Sequence, residues 1–192
     1  GVGEPTAYAK GGRYFQLADV LGVDKELGFT LSEDKYNIEK KAHFITEDVK
    51  GEIDCGEGMK NVYALSGADV LDITFSDRFK RSVNVGEVKL AANAYGKGRG
   101  VYVAGLPYSP QNARLLYRAM FWAAHKEEEM YRAFSTNPDT ECSYYPTIGC
   151  YVLINNGVRE QETVFTDRDG GQKKICLQPG QTVWLRDGFW RR

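Results

Sequence analysis

A glycine-containing loop at the start of the chain has the residue types best suited to hold a small ligand. It reads Gly1-Val2-Gly3-Glu4-Pro5-Thr6. Glycines allow the backbone to approach a ligand closely, and free N–H groups in such a loop can hold an anion. The loop lacks the lysine of a phosphate-binding P-loop and the third glycine of the dinucleotide fingerprint. A tight turn is therefore favoured, although a position after a strand would place Gly3, Glu4, Pro5 and Thr6 at a ligand-facing edge.

The cysteines and histidines do not have the spacing of a metal site. The cysteines are Cys55, Cys142, Cys150 and Cys176, and none forms a Cys-x-x-Cys pair. His43 and His125 lie far from them in the sequence. We therefore predict no zinc site and no metal ligands. Four cysteines in 192 residues do not make a disulfide scaffold, so reduced thiols in a cytoplasmic protein are expected, with disulfides as the open alternative.

Cys55 lies in an acidic loop that is poorly suited to nucleophilic catalysis. Glu52, Asp54 and Glu57 surround it in the sequence. A nucleophilic cysteine needs a base and a cationic or helix-end setting, whereas nearby acids raise the pKa of a thiol. Neither histidine has an adjacent triad-like arrangement, and no Gly-x-Ser-x-Gly elbow occurs. The sequence predicts no catalytic residue in this chain and a long solvated loop over residues 48–60.

Two basic segments could contact phosphate, but each has a simpler explanation. Residues 77–81 read DRFKR, and a single cluster of this kind in a near-neutral chain is usually a solvated surface. Residues 96–100 read GKGRG and connect two β-type runs, so a hairpin turn is favoured over a phosphate cradle. The 25 Lys and Arg nearly balance the 26 Asp and Glu. No overall field therefore favours nucleic acid or an anionic membrane as a partner.

Local patterns predict the elements that must position these segments. Residues 12–22 have the apolar spacing of a helix that ends at Gly22. Short β-type runs follow at 42–46, 62–65, 70–75 and 87–95. The next run, 100–105, is nearly all apolar, which predicts burial on both faces at the centre of a helix-covered sheet.

A second helix is predicted directly after this run. Ser109 is a suitable N-cap, and Pro110 suits the first helical position because its missing N–H needs no partner there. The helix extends to about residue 126. Its predicted apolar face consists of Ala113, Leu116, Tyr117, Met120, Phe121 and Ala124. A buried strand followed by a capped amphipathic helix indicates an α/β layered domain.

The remainder of the chain has the sequence pattern of short β-strands. Residues 135–146 are typical of a linker, and four β-type runs follow at 151–154, 162–166, 174–177 and 182–185. The turn signals between them predict a small antiparallel sheet or half sandwich. Fewer than 60 residues form only a small hydrophobic core. This part is therefore expected to pack against the preceding domain or against an absent one.

Length and composition suit a globular chain rather than a disordered, fibrous or membrane-spanning one. The chain has 192 residues, of which 42% are hydrophobic, and it holds no apolar run near the roughly 20 residues that span a bilayer. It begins without methionine, on residues that resemble the loop after a strand. We therefore expect a soluble part of a longer polypeptide, whose catalytic apparatus can lie elsewhere.

Four segments together resemble one family of enzymes. They are residues 1–7 (GVGEPTA), 12–24 (GRYFQLADVLGVD), 43–48 (HFITED) and 105–116 (GLPYSPQNARLL). These runs are similar to the 1,3-β-galactosyl-N-acetylhexosamine phosphorylases, also called lacto-N-biose or galacto-N-biose phosphorylases. The resemblance spans most of residues 1–126, and the β segment after residue 140 fits the C-terminal region of the family more loosely.

The resemblance implies a three-part parent chain. Its parts would be a catalytic (β/α)8 barrel, a central α/β domain similar to class I glutamine amidotransferases, and a C-terminal β domain. Residues 1–137 would then be the central domain, incomplete at its N-terminal end, and residues 138–192 the C-terminal β domain. The amidotransferase nucleophile is not matched, because no cysteine sits on a strand-to-helix elbow. The missing barrel of the same chain is the implied partner, and a homo-oligomer is possible.

The implied reaction is reversible phosphorolysis by an inverting hexosyltransferase. Phosphate, a co-substrate, attacks the galactosyl anomeric carbon and gives α-galactose 1-phosphate and a free N-acetylhexosamine. One protonated carboxyl group suffices for the leaving oxygen, and the family's acid lies on the barrel. The resemblance therefore transfers no catalytic residue and no cofactor to this chain, which we expect to be a scaffold and oligomerisation module.

A freestanding carbohydrate-binding module is the alternative interpretation. It would need an accessible aromatic platform, for which Trp184, Phe189 and Trp190 are candidates. Core packing and a loosely ordered tail would explain the same residues. An amidotransferase-like hydrolase is disfavoured because the elbow is missing.

Overall fold

The computed structural model describes residues 13–25, 39–75 and 86–188. Within these ranges the regular structure is mostly antiparallel β sheet with few helices. The chain divides into two compact units. The first contains the residues up to Tyr108 together with Trp122–Ala124, and the second contains Ser109–Phe121 and the residues from His125 onward. The similarity to class I glutamine amidotransferases and the domain boundary at residues 137 and 138 stay predictions.

The first helix, α1, is shorter than predicted. It spans Ala18–Leu21 and is followed by strand β1, Val23–Lys25. The predicted stop at Gly22 is confirmed, because Gly22 has a φ of 70° and donates its N–H to the carbonyl of Ala18 at 2.8 Å. Residues 13–17 do not continue the helix, since the Asp24 carboxylate accepts backbone N–H groups of this segment.

The β run predicted at 42–46 is wrong. Phe44–Thr46 form a 3₁₀ helix. The physical reason is local: Nδ1 of His43 accepts a hydrogen bond from the backbone N–H of Ile45 at 3.1 Å, so the side chain caps a helical turn. The long loop predicted over 48–60 is confirmed, because this segment contains no helix or strand.

Two antiparallel sheets form the rest of the first unit. Strand β2, Val62–Ala64, pairs with β1. Strands β3 (Asp69–Phe75), β4 (Gly86–Tyr95) and β5 (Gly98–Val103) form a sheet in that order. The strands predicted at 62–65, 70–75 and 87–95 are confirmed. The hairpin turn at GKGRG is also confirmed, since Tyr95 pairs with Gly98 and Gly96 turns the chain with a φ of 58°.

The burial predicted for residues 100–105 on both faces is wrong. Tyr102 is buried, whereas its neighbours Val101 and Val103 are only half-buried. Among the described strands β5 pairs with β4 alone, so it lies at an edge of the sheet as far as the described residues form it. The side chains that meet in the core of this unit come mainly from β2, β3 and β4, with Phe15, Ala18, Val23 and Tyr102 beside them.

The helix predicted after Ser109 is confirmed. Helix α2 spans Pro110–Ala123, and the Ser109 hydroxyl accepts a hydrogen bond from the backbone N–H of Asn112 at 3.0 Å. It ends a few residues earlier than predicted, because His125 adopts a φ of 56° and turns the chain. A 3₁₀ helix, Glu127–Tyr131, follows.

The second unit contains two three-stranded antiparallel sheets. One has the order β10-β9-β6 and the other β11-β8-β7. The strands are β6 (Phe134–Ser135), β7 (Thr140–Tyr145), β8 (Cys150–Asn155), β9 (Gln161–Thr166), β10 (Gln172–Leu177) and β11 (Thr182–Arg186). Side chains of both sheets share one core, formed by Tyr151, Leu153, Phe165, Leu177 and Leu185. The four strands predicted after residue 149 are confirmed, and they are divided between two sheets.

The linker predicted over 135–146 is wrong, because this segment supplies β6 and β7. Thr140, Cys142 and Tyr144 point inward, while Glu141, Ser143 and Tyr145 are exposed. This alternation is typical of a strand with one buried face. The Asn-Pro-Asp signal marks only the turn between β6 and β7.

One buried amide connects several parts of the second unit. Asn155 is fully buried, and its Nδ2 donates to the carbonyls of Arg159, Leu177 and Gln178 at 2.8–3.1 Å. Its Oδ1 accepts the N–H of Gly157 at 2.8 Å. Asn155 thus connects the end of β8, the following turn and the end of β10. No helix in the described part of the chain is long and apolar enough to cross a membrane.

Candidate functional site

The predicted ligand-facing loop, Gly3, Glu4, Pro5 and Thr6, lies outside the described residues. The chain that follows it is held by Asp24, whose Oδ1 accepts the backbone N–H groups of Tyr14, Phe15 and Lys25, each at 2.9 Å. Asp24 is buried. Because its carboxylate already accepts three N–H groups, its role here is to fix the backbone. The basic segment 77–81 also lies outside the described residues.

Cys55 is a buried thiol with a raised pKa. The pKa is about 11, chiefly because burial penalises the charged thiolate and further because Asp72 lies nearby. The prediction that this pKa would be raised is confirmed, but burial contributes more than the local acids. The loop also packs closely against the end of β5, since a Cβ added at Gly105 would lie 2.4 Å from the carbonyl oxygen of Cys55. The thiol is therefore protonated at neutral pH.

The cations around Cys55 are paired with acids. The Nζ of Lys89 lies 3.3 Å from Oε2 of Glu87, and Lys40 forms an ion pair with Asp72. Both acids are largely buried in these pairs. Because each of these two lysines is paired with a carboxylate, the group of charges near Cys55 does not create the excess of positive charge that would attract phosphate.

Arg99, the arginine of GKGRG, stacks on an aromatic ring. Its guanidinium lies 4.8 Å from the centre of the Trp122 ring, and it donates a hydrogen bond to the Trp122 carbonyl at 2.8 Å. The ring of His43 contacts the same indole edge-on at 5.0 Å. Arg99 and His43 therefore both contact Trp122 and help to hold its indole in place. His125, the other histidine, is exposed beyond the end of α2.

Helix α2 buries a different face from the one predicted. Asn112, Leu115, Arg118 and Ala119 are its buried residues. The predicted face is largely exposed: Ala113 and Ala124 are on the surface, and Leu116, Tyr117 and Met120 are about half-exposed. Phe121 is only half-buried, with its ring 4.8 Å from that of Tyr117.

Two arginines explain why the less apolar face turns inward. Arg118 is 1% exposed, and its guanidinium reaches the hydroxyl of Tyr131 at 3.4 Å. Arg114 lies 4.6 Å over the ring of Phe134 and donates to the carbonyl of Ser135 at 2.7 Å. The inner face thus gains hydrogen bonds and cation–π contacts that a hydrophobic pattern does not show.

A second polar cluster lies around Asp187. The hydroxyls of Tyr144 and Tyr151 donate to its two carboxylate oxygens at 3.2 and 3.4 Å. The guanidinium of Arg168 lies 4.7 Å over the Tyr144 ring. Burial raises the pKa of Tyr151 to about 12, so this hydroxyl stays protonated at neutral pH. The two hydroxyls tie Asp187, directly after β11, to β7 and β8.

An exposed aromatic pair lies on the sheet β11-β8-β7. Trp184 and Tyr145 are 58% and 49% exposed, and their ring centres are 5.9 Å apart. The sequence indicates Trp184 as a candidate for an aromatic platform but not Tyr145, because it predicts a linker over the segment that contains Tyr145. The alternation in residues 140–145 is the signal that identifies Tyr145 as outward-facing. The other candidates, Phe189 and Trp190, lie outside the described residues.

The described residues show no group of three or more His, Cys, Asp or Glu side chains placed to hold a metal ion. All four cysteines lie in described segments and are free thiols. Cys55 is buried, Cys142 and Cys150 are partly buried, and Cys176 is exposed.

Comparison with known proteins identifies relatives over nearly the whole chain. Residues 1–128 match the family model for the lacto-N-biose phosphorylase central domain, and residues 134–185 match the model for the C-terminal domain of the same phosphorylases. A 1,3-β-galactosyl-N-acetylhexosamine phosphorylase of Lachnoclostridium phytofermentans is 47% identical over 96% of this chain. The enzyme of that name from Bifidobacterium longum subsp. longum is 39% identical over 96%.

A more distant relative has a different substrate in its name. It is a D-galactosyl-β-1→4-L-rhamnose phosphorylase of Lachnoclostridium phytofermentans, 32% identical over 86% of this chain. The chain spans only about a quarter of the length of the curated relatives, 24%, 28% and 21% of the three proteins. Since two consecutive domain models match in the order that the phosphorylases have them, the chain belongs to the lacto-N-biose phosphorylase family.

Proposed function

We propose that this chain is the central and C-terminal portion of a glycoside phosphorylase. The parent protein would reversibly phosphorolyse β-1,3-galactosyl-N-acetylhexosamines to α-galactose 1-phosphate and an N-acetylhexosamine. The observation that carries this proposal is the match of two consecutive phosphorylase domains, together with 47% identity to a protein of that activity. In keeping with its free thiols, the protein is proposed to be cytoplasmic.

The reaction is assigned to the barrel that precedes this portion in the parent. An oxygen of phosphate forms the new bond to the anomeric carbon from the face opposite the leaving group. The glycosidic bond breaks with its electron pair on the acceptor oxygen, which takes a proton from a carboxyl group. Within the described residues, the buried acid Asp24 accepts three backbone N–H groups and the Cys55 thiol has a pKa of about 11. These roles favour a supporting function for this portion.

The supporting role includes contact with another subunit. Leu116, Tyr117 and Met120 lie half-exposed on one side of α2, while its arginines are held inside. An apolar helix face of this kind is typical of protein–protein contact surfaces. We therefore propose that the exposed face of α2 contributes to a homo-oligomer.

The loop Gly3-Glu4-Pro5-Thr6 is proposed to face the sugar and phosphate pocket of the barrel. Its glycine and its position before the segment clamped by Asp24 support this placement. Replacing Glu4 and Thr6 with alanine in the parent protein is expected to raise KM for phosphate or disaccharide at least several-fold. Unchanged kinetics for both substrates would dismiss the loop's role without touching the rest of the proposal.

The central test compares the parent protein with the 192-residue chain alone. Each is incubated with β-1,3-galactosyl-N-acetylglucosamine and inorganic phosphate, and α-galactose 1-phosphate is quantified. We expect product from the parent and none from the chain. Product from the chain alone would overturn the assignment to the barrel, and an inactive but folded parent would overturn the proposed reaction. Tight binding of the disaccharide by the chain, combined with a folded parent that does not phosphorolyse it, would instead favour the freestanding carbohydrate-binding module.

A further inference from the structure

The sheet β11-β8-β7 has one buried and one solvent-facing side. Tyr151, Leu153 and Leu185 point into the core of the second unit. Side chains alternate along a strand, so the residues between them face the other way. Strand register places these outward residues in three rows: Arg186, Cys150 and Tyr145; Trp184, Val152 and Ser143; Thr182, Ile154 and Glu141. We call these nine residues the aromatic sheet face.

Trp184 and Tyr145 lean towards each other across the central strand. They stand on the two outer strands in neighbouring rows, yet their ring centres are only 5.9 Å apart and their planes differ by 35°. Val152, which lies between these strands, is only 5% exposed. The two rings thus form a shallow ledge above β8, and more than half of the Trp184 surface faces solvent.

An exposed aromatic ledge is unfavourable unless something covers it. Apolar surface that stays exposed to water is unfavourable, and such patches commonly mark binding sites. Trp and Tyr offer large rigid contact areas with little loss of side-chain entropy on binding. The ledge therefore has the properties of a preformed contact surface.

The polar residues of the face favour a neutral ligand rich in hydroxyl groups. Ser143, Thr182, Glu141 and Arg186 are exposed around the two rings. Arg186 carries the one positive charge among them and Glu141 the one negative charge. Because these two charges balance, the face does not select an anion or a cation. Aromatic faces carry negative charge density that attracts polarised C–H bonds, and a pyranose ring presents such bonds on its flat side with hydroxyls at its edge.

We propose that the aromatic sheet face binds a neutral oligosaccharide, with one pyranose ring stacked on Trp184 and Tyr145. This site is additional to the sugar pocket of the barrel. It would keep glycan close to the enzyme without taking part in bond cleavage. The choice of a β-galactoside as the first probe rests on the proposed function, whereas the stacking depends on the two rings alone.

The test is a titration of the 192-residue chain with sugars, monitored by ¹H–¹⁵N spectra. The probes are β-1,3-galactosyl-N-acetylglucosamine, cellobiose and maltose, and the Trp184 indole N–H is assigned with Trp184→Phe. We expect a saturable shift of this signal with at least one probe. Trp184→Ala and Tyr145→Ala should each lower the association constant at least tenfold, while Trp184→Phe should retain part of it. Tyr95→Ala, which removes a tyrosine of similar exposure from the first unit, should have no effect.

Several results would overturn the proposal. One is the absence of a Trp184 shift with all three probes in a chain whose thermal midpoint shows it to be folded. Another is equal loss of binding in Tyr95→Ala. A third is that neither sugar nor the fluorescence quencher acrylamide reaches Trp184 in the parent protein. This would show that another part of the parent protein covers the face. Phosphorolysis by the parent protein separates this proposal from the proposed function. We expect the parent carrying Trp184→Ala to have unchanged activity. An inactive unsubstituted parent would contradict only the proposed function.

Discussion

The Oδ1 atom of Asp24 accepts a hydrogen bond from the backbone N–H of Tyr14 at 2.9 Å, across ten residues of chain. Phe15 and Lys25 donate to the same oxygen. One buried carboxylate therefore fixes the segment that enters α1 against β1. Because Phe15 is part of the core of the first unit, this contact connects backbone geometry with core packing.

Replacing Asp24 with alanine is expected to lower the free energy of unfolding by about 1–3 kcal/mol, since buried backbone N–H groups lose their acceptor. Asp24→Asn keeps an oxygen at the same position and should cost less. The control is Asp19→Asn, which removes an exposed ion pair with Arg13 at 3.6 Å and should change stability by well under 1 kcal/mol. Urea unfolding measures all three, and equal effects of Asp24→Ala and Asp19→Asn would contradict this account.

Gly22 and Gly67 provide a matched pair for separating backbone strain from steric contact. Both have positive φ, but a Cβ at Gly22 would lie 2.6 Å from Cβ of Ala68, whereas nothing lies within 4 Å of one at Gly67. Gly67→Ala should cost about 1–2 kcal/mol from conformation alone. Gly22→Ala should cost a further 1–3 kcal/mol, roughly, because the neighbours must move. Thermal unfolding of both variants measures the difference, and equal midpoints would refute the role of the close approach.

The four thiols should differ in reactivity at pH 8. Burial raises the pKa of Cys55 to about 11 and that of Cys142 to about 12, so their thiolates are scarce and shielded. We expect Cys150 and Cys176 to react with Ellman's reagent first, and Cys55 and Cys142 to react at the rate of opening or unfolding. Rapid reaction of all four thiols in the folded chain would contradict the burial described here.

The same burial predicts a loss of stability at alkaline pH. The pKa of Cys55 is raised above its unfolded value of 9.0, so the folded state binds this proton more tightly than the unfolded state does. Its contribution is fully present below pH 9 and is lost as pH rises towards 11. Cys55→Ala should therefore flatten the decline of unfolding free energy between pH 9 and 11 relative to the unsubstituted chain. Parallel curves would show that Cys55 does not contribute to it.

Substitutions on the exposed face of α2 should affect association more than stability. Leu116→Glu and Met120→Glu place charges on half-exposed positions, so the thermal midpoint should change little. If this face contacts a second copy, sedimentation should shift towards the monomer, by roughly tenfold or more in the dimerisation constant. Val158→Glu, at a position 90% exposed in the same unit, is the control. An unchanged sedimentation profile for the two helix variants would dismiss the proposed oligomer contact.

Features decided by neighbouring residues could be predicted from sequence. Gly22 ends α1, Ser109 caps α2, and Gly96 turns the hairpin because each acts on backbone groups a few residues away. The one strand prediction that failed, at 42–46, was overridden by a competing local interaction, the capping of Phe44–Thr46 by His43.

Features decided by distant partners could not be predicted. The inward orientation of Arg118 depends on Tyr131, and that of Arg114 depends on Phe134 and Ser135. Hydrophobic periodicity therefore selected the wrong face of α2. For the aromatic sheet face, Trp184 was a candidate from its residue type, but its pairing with Tyr145 required the register of three strands.

The four hydrogen bonds of Asn155 have a consequence for how the second unit opens. Asn155 ends β8 in one sheet, and its side chain bonds to the carbonyl of Leu177, which ends β10 in the other sheet. Separating the two sheets at this end would therefore leave buried polar groups without hydrogen-bond partners. Fraying should therefore begin at the opposite ends of the strands, and slow amide exchange should be concentrated around residues 155 and 177. The two sheets of the second unit are therefore connected by side-chain hydrogen bonds at the end where Asn155 lies.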